Sequence, residues 1–374
     1  MDKRKNGNPK SKKKLAIVMF SILAVLLFLL AVGWIVYSHT VSKLHYEERT
    51  TIAETGTGTP PPLVDESASE EEKKEAERIE KMLLDNIESP RKADNSDADV
   101  TNILLIGVDN NSPDSMQRQG NADGLVILSI NRTTRQVVLT SLMRDIYVAV
   151  PKQFNTKLTL SYHYGGIPML INTIEANFGV TIDNYALVNY IDVVNIVDAF
   201  GGVKVDLRED EIFAMESKIK NVNELMGLES SANAIDQSQA GVMTLNGVQT
   251  AAYLRIRMAG HGDYERTERA RRVITKLVKK VRGMNFAELS EVADVVLPCI
   301  TTDLTQGEIF TLLVNLPKYM KYDLVSSRIP VEGSSYSVNM NGYFLIIDYD
   351  VNREYLFNSI YNGIQLPAEN PDEK

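Results

Sequence analysis

From Leu15 to Tyr37 the chain runs for 23 residues without a charged side chain, LAIVMFSILAVLLFLLAVGWIVY. A helix so apolar on every side has no face to turn to water, whereas about 20 such residues, rising about 1.5 Å each, cross the hydrocarbon core of a bilayer. A cleaved signal peptide would carry an apolar region of about 7 to 15 residues followed by a small-residue cleavage site. The run therefore predicts an uncleaved transmembrane anchor over 15–37. Residues 1–14, MDKRKNGNPKSKKK, hold seven Lys or Arg against Asp2 alone, and His39, Glu47 and Glu48 follow the span. The positive flank is expected to stay in the cytoplasm, which leaves the rest of the chain outside the membrane.

What lies beyond the anchor is long enough for one large or two ordinary domains: the chain has 374 residues, 44% of them hydrophobic. Cys299 is the single cysteine, so no internal disulfide can form and the body must rest on its core. That suits a bacterial envelope sparing of disulfides. His39, His45, His163 and His261 have no metal-ligand spacing, which argues against zinc. A formal net charge of -9, an extracytoplasmic setting and the lack of interleaved aromatics argue against nucleic acid as a partner. Residues 38–99 read as a Thr-, Pro- and acid-rich spacer. Inside it Ile79, Met82, Leu83 and Ile87 recur at helical spacing, predicting an amphipathic helix from about Ser69 to Ile87, either a solvated stalk or a lid on the body. The body is expected over 100–365, with a tail at 366–374.

In the body, the apolar run from Ile103 to Val108 predicts a buried strand, and GLVILSI and QVVLTSL two more, joined by short polar connections that favour antiparallel neighbours. Such pairing brings the end of the first strand, the start of the second and the end of the third to one edge. Asp109, Asp123, Arg144 and Asp145 then meet there. Downstream, NYALVNY and VKVDL read as strands, IDVVNIVDAF as a helix stopped by Gly201 and Gly202, and LNGVQTAAYLRIR as a helix from Asn246. The mixture is α/β.

Six arginines crowd into RIRMAGHGDYERTERARR, residues 255 to 272, of this acidic chain. Ala270, Val273, Ile274, Leu277, Val278 and Val281 mark the core-facing stripe of a helix starting near Asp263. Stepping about 100° per residue, Arg266 projects toward that stripe, Arg269 and Arg271 lie on opposite rims, and Arg272 faces away. A guanidinium aimed at a core needs an anion. It can be internal, Asp263 or Asp145, or it can be a ligand, because a helix start already favours anions. Arg255 and Arg257 extend the positive cluster, and their planar forks suit phosphate oxygens. Asp109 and Asp123 can be turn caps, an acid/base pair, or hard oxygen ligands for Mg2+ beside a phosphate site.

NILLIGVD, ADGLVILSIN, TSLMRDIYV, KLTLSYHYGG, VDAFGGVKV, LNGVQTAAYLRIR and GDYERTERARRVI follow one another in the order and approximate spacing of the LytR-CpsA-Psr family, which the chain resembles over roughly residues 100 to 365. The resemblance implies a three-layer α/β/α domain with a central mixed sheet and a hydrophobic pocket for a polyprenyl chain. The implied activity is a phosphotransferase that attaches anionic glycopolymers, teichoic acid or capsule, from polyprenyl-pyrophosphate carriers to peptidoglycan. Carried over by position, Asp109 and Asp123 would hold Mg2+. Arg144, Arg255, Arg257 and Arg266 would bind the pyrophosphate, with Asp263 organising the site. Arg118, Asn121, Lys157, Arg269 and Arg271 are further candidates for substrate contacts. On this reading Asp123→Asn abolishes transfer with little loss of stability. The sequence departs from the family at Asn121, where Arg is usual, at Ala270, where Gln is usual, and at Thr159, where Asn is usual. Asn121 and Ala270 favour a rival role, a regulatory protein that binds polyprenyl phosphates without transferring them. A transcriptional role would leave only a fourteen-residue cytoplasmic tail to read DNA, too short to fold.

Overall fold

The structure, a computed structural model, describes residues 38, 41–49, 60–88, 99–109, 120–236, 240–257 and 263–364. The anchor expected over 15–37 and candidate Arg118 lie outside the described residues, and among those described no helix is long and apolar enough to cross a membrane. The chain divides into two units, residues 1–44 and 45–374. The described part of the first is a helical turn, with Ser42 N bonded to Ser38 O at 3.0 Å.

In the second unit a short strand β1 (His45–Tyr46) is followed by helix α1 (Glu70–Glu88) and strands β2 (Val100–Val108), β3 (Ala122–Asn131) and β4 (Gln136–Leu142). A small hairpin, β5 (Tyr147–Ala149) and β6 (Asn155–Lys157), leads into helix α2 (Leu158–Phe178), then β7 (Asn184–Val188) and α3 (Tyr190–Ala199). Next come β8 (Val203–Leu207), α4 (Glu209–Leu225), β9 (Gly241–Leu245), α5 (Gly247–Leu254), α6 (Asp263–Gly283) and α7 (Phe286–Val296). The chain closes with β10 (Thr301–Thr302), α8 (Gln306–Tyr319), β11 (Asp323–Ile329), the hairpin β12 (Ser335–Met340) and β13 (Gly342–Ile347), and α9 (Tyr349–Phe357). The start of α5 follows from its sequence: Asn246 accepts from Gln249 N while the Gln249 side chain returns to Asn246 N, a capping box that satisfies two helix-end donors.

Seven strands form the central sheet in the order β1-β10-β7-β2-β3-β4-β11. It is mixed. As the short connections predict, β3 runs antiparallel to both β2 and β4, while β7 lies parallel to β2 and β11 parallel to β4. The VKVDL strand, β8, pairs with β9 in a separate hairpin outside this sheet. Side-chain alternation sends Leu104, Ile106, Leu125 and Ile127 into the main core with Leu170 and Ile174 of α2 and Leu356 of α9. Helix α6 packs on β3, β4 and β11, and Arg271 there reaches Ser326 of β11. Ser326 is in register with Leu139 and Leu139 with Leu128, so α6 covers the face opposite Ile127. A second core, including Val194, Ile212, Leu245, Ala251 and Val273, joins α3, α4 and α5 to α6.

Residue 100 is too late a start for the body. Leu63, Ala76, Ile79 and Leu83 are buried in the main core, so α1, read from sequence as a stalk or a lid, is one of its packed elements. Its apolar spacing is what allows this, since Ile79 and Leu83 lie one turn apart on one face.

Candidate active site

The parallel register of β2 and β7 and the antiparallel register of β2 and β3 set the site. Gly107 pairs with Val188 on one side and Gly124 on the other. Asp109 and Tyr190, each two residues beyond the Gly107–Val188 pair, therefore sit at the same edge, where β3 begins. Opposite Gly107 the β2–β3 ladder slips: Gly107 pairs with Gly124, but Val108 pairs with Ala122. Asp123 is thus the extra residue of a β-bulge, a device that re-aims a side chain and takes a residue out of the ladder. Asp109 N continues the pairing by donating to Asn121 O at 3.0 Å.

Three arginines converge on Asp123, whose carboxylate is only 6% exposed. Arg144 Nη1 reaches Oδ1 at 2.8 Å, and Arg257 Nη2 and Arg266 Nη1 reach Oδ2 at 3.0 and 3.4 Å. Arg266 Nη2 also donates to the Asp123 carbonyl at 3.1 Å, so its fork grips side chain and backbone together. Arg266 is 7% exposed on its side chain, whereas Arg257 is 50% exposed. Burial pushes the Asp123 carboxyl up, but Arg266, Arg144 and Arg257 outweigh it and hold the group below the ordinary aspartate range. The core-directed guanidinium inferred at position 266 is observed, and Asp123, which the sequence did not single out for it, is an anion that it meets.

Asp109 and Arg255 are less well matched. Arg255 Nη2 lies 3.9 Å from Asp109 Oδ1, and among the described residues both that buried oxygen and the buried Arg255 Nη1 lack a hydrogen-bond partner. The guanidinium of Arg255 instead lies over the Tyr190 ring, 4.6 Å from its centroid. An unmatched acceptor and an unmatched donor at one mouth are what a bound cation and a bound anion would satisfy. Asp109 and Asp123 offer hard carboxylate oxygens on adjacent strands, the donor set Mg2+ takes when substrate phosphates complete its shell. The residues present therefore fit that ion.

The other candidates divide. Lys157 is in the neighbourhood, with Nζ 3.2 Å from Asp145 Oδ1, and Asp145 Oδ2 lies 3.3 Å from Arg144 Nε. Asp145 thus braces two cations. Asn121 contributes its backbone carbonyl, and α6 begins at Asp263, whose side chain is not described. Arg269 does not join the cluster: 1% exposed, it is held by Glu211 and Glu265 at 2.9 Å each and donates to Ile256 O. Arg271 is buried on the other rim of α6, donating to Ser326 Oγ at 2.9 Å. Arg272, expected to face away, is half-buried and donates to Tyr253 OH at 2.8 Å and Glu268 at 2.7 Å. Its solvent side is already covered by α5. Thr159 N donates to Arg144 O, while among the described residues the buried Thr159 hydroxyl has no hydrogen-bond partner.

Tyr190 and Glu211 were not among the candidates. Tyr190 carried a usable signal: the capping box formed by Asn189 and Asp192 fixes it as the first residue of a helix leaving a strand beside β2. A cleft of about 1020 Å3 lies elsewhere, between α1, the β12–β13 hairpin and α9, lined by groups such as Arg78, Asp85, Glu332 and Asp350. None of the aspartates and arginines above lines it.

Against known proteins, the model of the LytR_cpsA_psr family matches residues 64–354. The chain is 28% identical over 263 residues to a polyisoprenyl-teichoic acid--peptidoglycan teichoic acid transferase TagU of Oceanobacillus iheyensis, covering 68% of this chain and 74% of that one. It is 31% identical over 192 residues to biofilm regulatory protein A of Streptococcus mutans, covering 49% of this chain and 44% of the other. Among solved structures, the LytR-CPS2A-psr family protein YwtF (TagT) with bound octaprenyl pyrophosphate lipid shares the fold with a TM-score of 0.50 at 20% identity, over 73% of this chain and 94% of that one.

Proposed function

Because the chain belongs to the LytR-CpsA-Psr family, we propose that it transfers an anionic glycopolymer from a polyprenyl-pyrophosphate carrier to peptidoglycan. The span over 15–37 would anchor it in the bacterial cell membrane, with residues 1–14 in the cytoplasm and the catalytic unit outside. The family match and the transferase name of the TagU relative support the reaction. The bound lipid of the YwtF structure supports the carrier. The observation that carries the reading is the gathering of Arg144, Arg255, Arg257 and Arg266 around two aspartates at one sheet edge.

In the reaction, an acceptor hydroxyl oxygen bonds to the phosphorus that bears the glycopolymer. The bond from that phosphorus to the bridging oxygen breaks, and polyprenyl phosphate leaves. Arg144 and Arg266, braced by Asp145 and the Asp123 carbonyl, bind and orient the phosphates and stabilise charge that grows on the bridging oxygen. Arg255 presents a buried unmatched donor to the same anion. Asp109 and Asp123 would hold Mg2+, whose chemistry is to neutralise charge on the phosphate oxygens. Asp123 is a poor base for the acceptor proton, since its arginines hold it ionised below the usual range.

The test is to incubate the full chain in detergent with labelled lipid-linked oligosaccharide, peptidoglycan and Mg2+, and to follow label into peptidoglycan with and without chelator. Mg2+-dependent transfer is expected. Binding without transfer would instead favour the regulatory reading, which Asn121 and Ala270 support. Neither binding nor transfer would sink both.

A further inference from the structure

Arg144, Arg257 and Arg266 all contact Asp123, whereas among the described residues Arg255 meets only a carboxylate oxygen at 3.9 Å and the face of Tyr190. A guanidinium lying over an aromatic face is attracted by the ring while its N-H bonds stay in its own plane, pointing outward. The stack therefore fixes the orientation of Arg255 without consuming a donor. By contrast, Arg272 meets its tyrosine, Tyr253, at the hydroxyl and consumes a donor there. The Tyr190 ring is itself held. It is the first residue of α3, whose start is tied by Asn189 accepting from Asp192 N and Asp192 accepting from Asn189 N, and it packs against the second core.

We propose that Tyr190 is a positioning residue for pyrophosphate recognition: its ring holds the Arg255 guanidinium in one plane with Nη1 unspent, so that this arginine meets the anion already oriented. The inference rests on the phosphotransferase reading above. It assigns the ring, not the hydroxyl, as the working group. Burial, reinforced by Asp109 and Asp123, pushes that hydroxyl up to about 12, so it stays protonated and is no base for the acceptor. Ordering a flexible arginine beforehand removes a cost that binding would otherwise bear.

The experiment measures the affinity of the full chain for geranyl pyrophosphate in Mg2+ buffer, using Tyr190→Phe, Tyr190→Leu, Tyr190→Met and Arg255→Ala, with each Tyr190 variant repeated in the Arg255→Ala background. Tyr190→Phe should bind as the parent does. Tyr190→Leu and Tyr190→Met, which keep apolar bulk but lose the ring face, should bind about tenfold more weakly, the scale of a desolvated cation–π contact. In the Arg255→Ala background the same changes should cost less than about twofold, because the partner is gone. A merely structural role would weaken binding equally in both backgrounds, and that result overturns the proposal. So does parent-like binding by both Leu and Met variants. Parent protein that fails to bind geranyl pyrophosphate refutes the phosphotransferase reading and this inference with it. Parent binding with unaffected Tyr190 variants leaves that reading standing. If the Leu variant melts below the assay temperature, the Met variant decides.

Discussion

Asp123→Asn should be a destabilising change as well as an inactivating one. If the carboxylate were only a metal ligand, amide substitution would leave the fold nearly untouched. Instead it is the shared counter-ion of Arg144, Arg257 and Arg266, at 2.8, 3.0 and 3.4 Å, and it is almost fully buried. Removing one partner of a buried ion pair costs about 3–5 kcal/mol, because the remaining charge is left uncompensated. Arg257 is half exposed and can turn to water, and Arg144 keeps Asp145, so about 2–3 kcal/mol is the expected loss. At about 2 °C per kcal/mol for a domain of this size, melting should fall by roughly 4–6 °C. The folded-state carboxyl is depressed, so its contribution is complete above the unfolded value of about 3.9 and is lost as pH falls through the lower folded value. The gap between parent and variant should therefore stay constant from about pH 8 to about pH 5 and close only below about pH 4. The assay is thermal unfolding of both proteins across that range, in chelator, with and without inorganic pyrophosphate. The anion should stabilise the Asn variant more than the parent, since three arginines then lose the negative charge of Asp123. Equal melting temperatures at pH 7, or a gap that widens as the pH falls below 4, would refute this account of the site.

Four further substitutions test other parts of the structure. Arg266→Lys keeps the charge but cannot hold the Asp123 carboxylate and carbonyl together, so transfer should fall about tenfold or more, about 1.4 kcal/mol of transition-state stabilisation. Arg272→Lys, measured alongside, should lose a hydrogen bond to Tyr253 or Glu268, lower stability by about 1 kcal/mol and leave activity per folded molecule unchanged. Arg269→Ala should cost about 3 kcal/mol in urea unfolding, because the buried Glu211 loses its closest cation and keeps Arg208 at 3.8 Å, and Arg269→Met with Glu211→Gln should recover part of that. Leu83→Ala should cost about 2–5 kcal/mol, the signature of a core position, and a loss under about 0.5 kcal/mol would return α1 to the status of a solvated spacer.

The meander β2–β3–β4 was legible because each strand is an apolar run bounded by polar turns. Nearest-neighbour pairing then forces Asp109, Asp123 and Arg144 to one edge. Arg266 was legible because helical periodicity aims it at the sheet. Periodicity misjudged Arg272, since it reports the angle around one helix and not which other helices surround it. Helix α5 covers that side, and Tyr253 from it turns a nominally outward arginine into a half-buried one. The same blindness hid Glu211, which lies 58 positions before Arg269 and meets it only through the second core.

The bulge at Asp123 was beyond any pattern of residue types, and it is what joins the legible parts into a site. A regular ladder would carry Asp123 in strict alternation with Ala122 and Gly124, its carbonyl facing β2 or β4. With the register slipped by one residue, Asp123 leaves the ladder, and its carbonyl accepts from Arg266 Nη2 while its carboxylate takes three guanidiniums. Gly107 and Gly124 face each other across the pair, where a Cβ on either would stand 3.6 Å from the other's Cα, an ordinary contact, so the kink does not depend on their lack of side chains. It is the register slip, from Gly107–Gly124 to Val108–Ala122, that decides where the central carboxylate points.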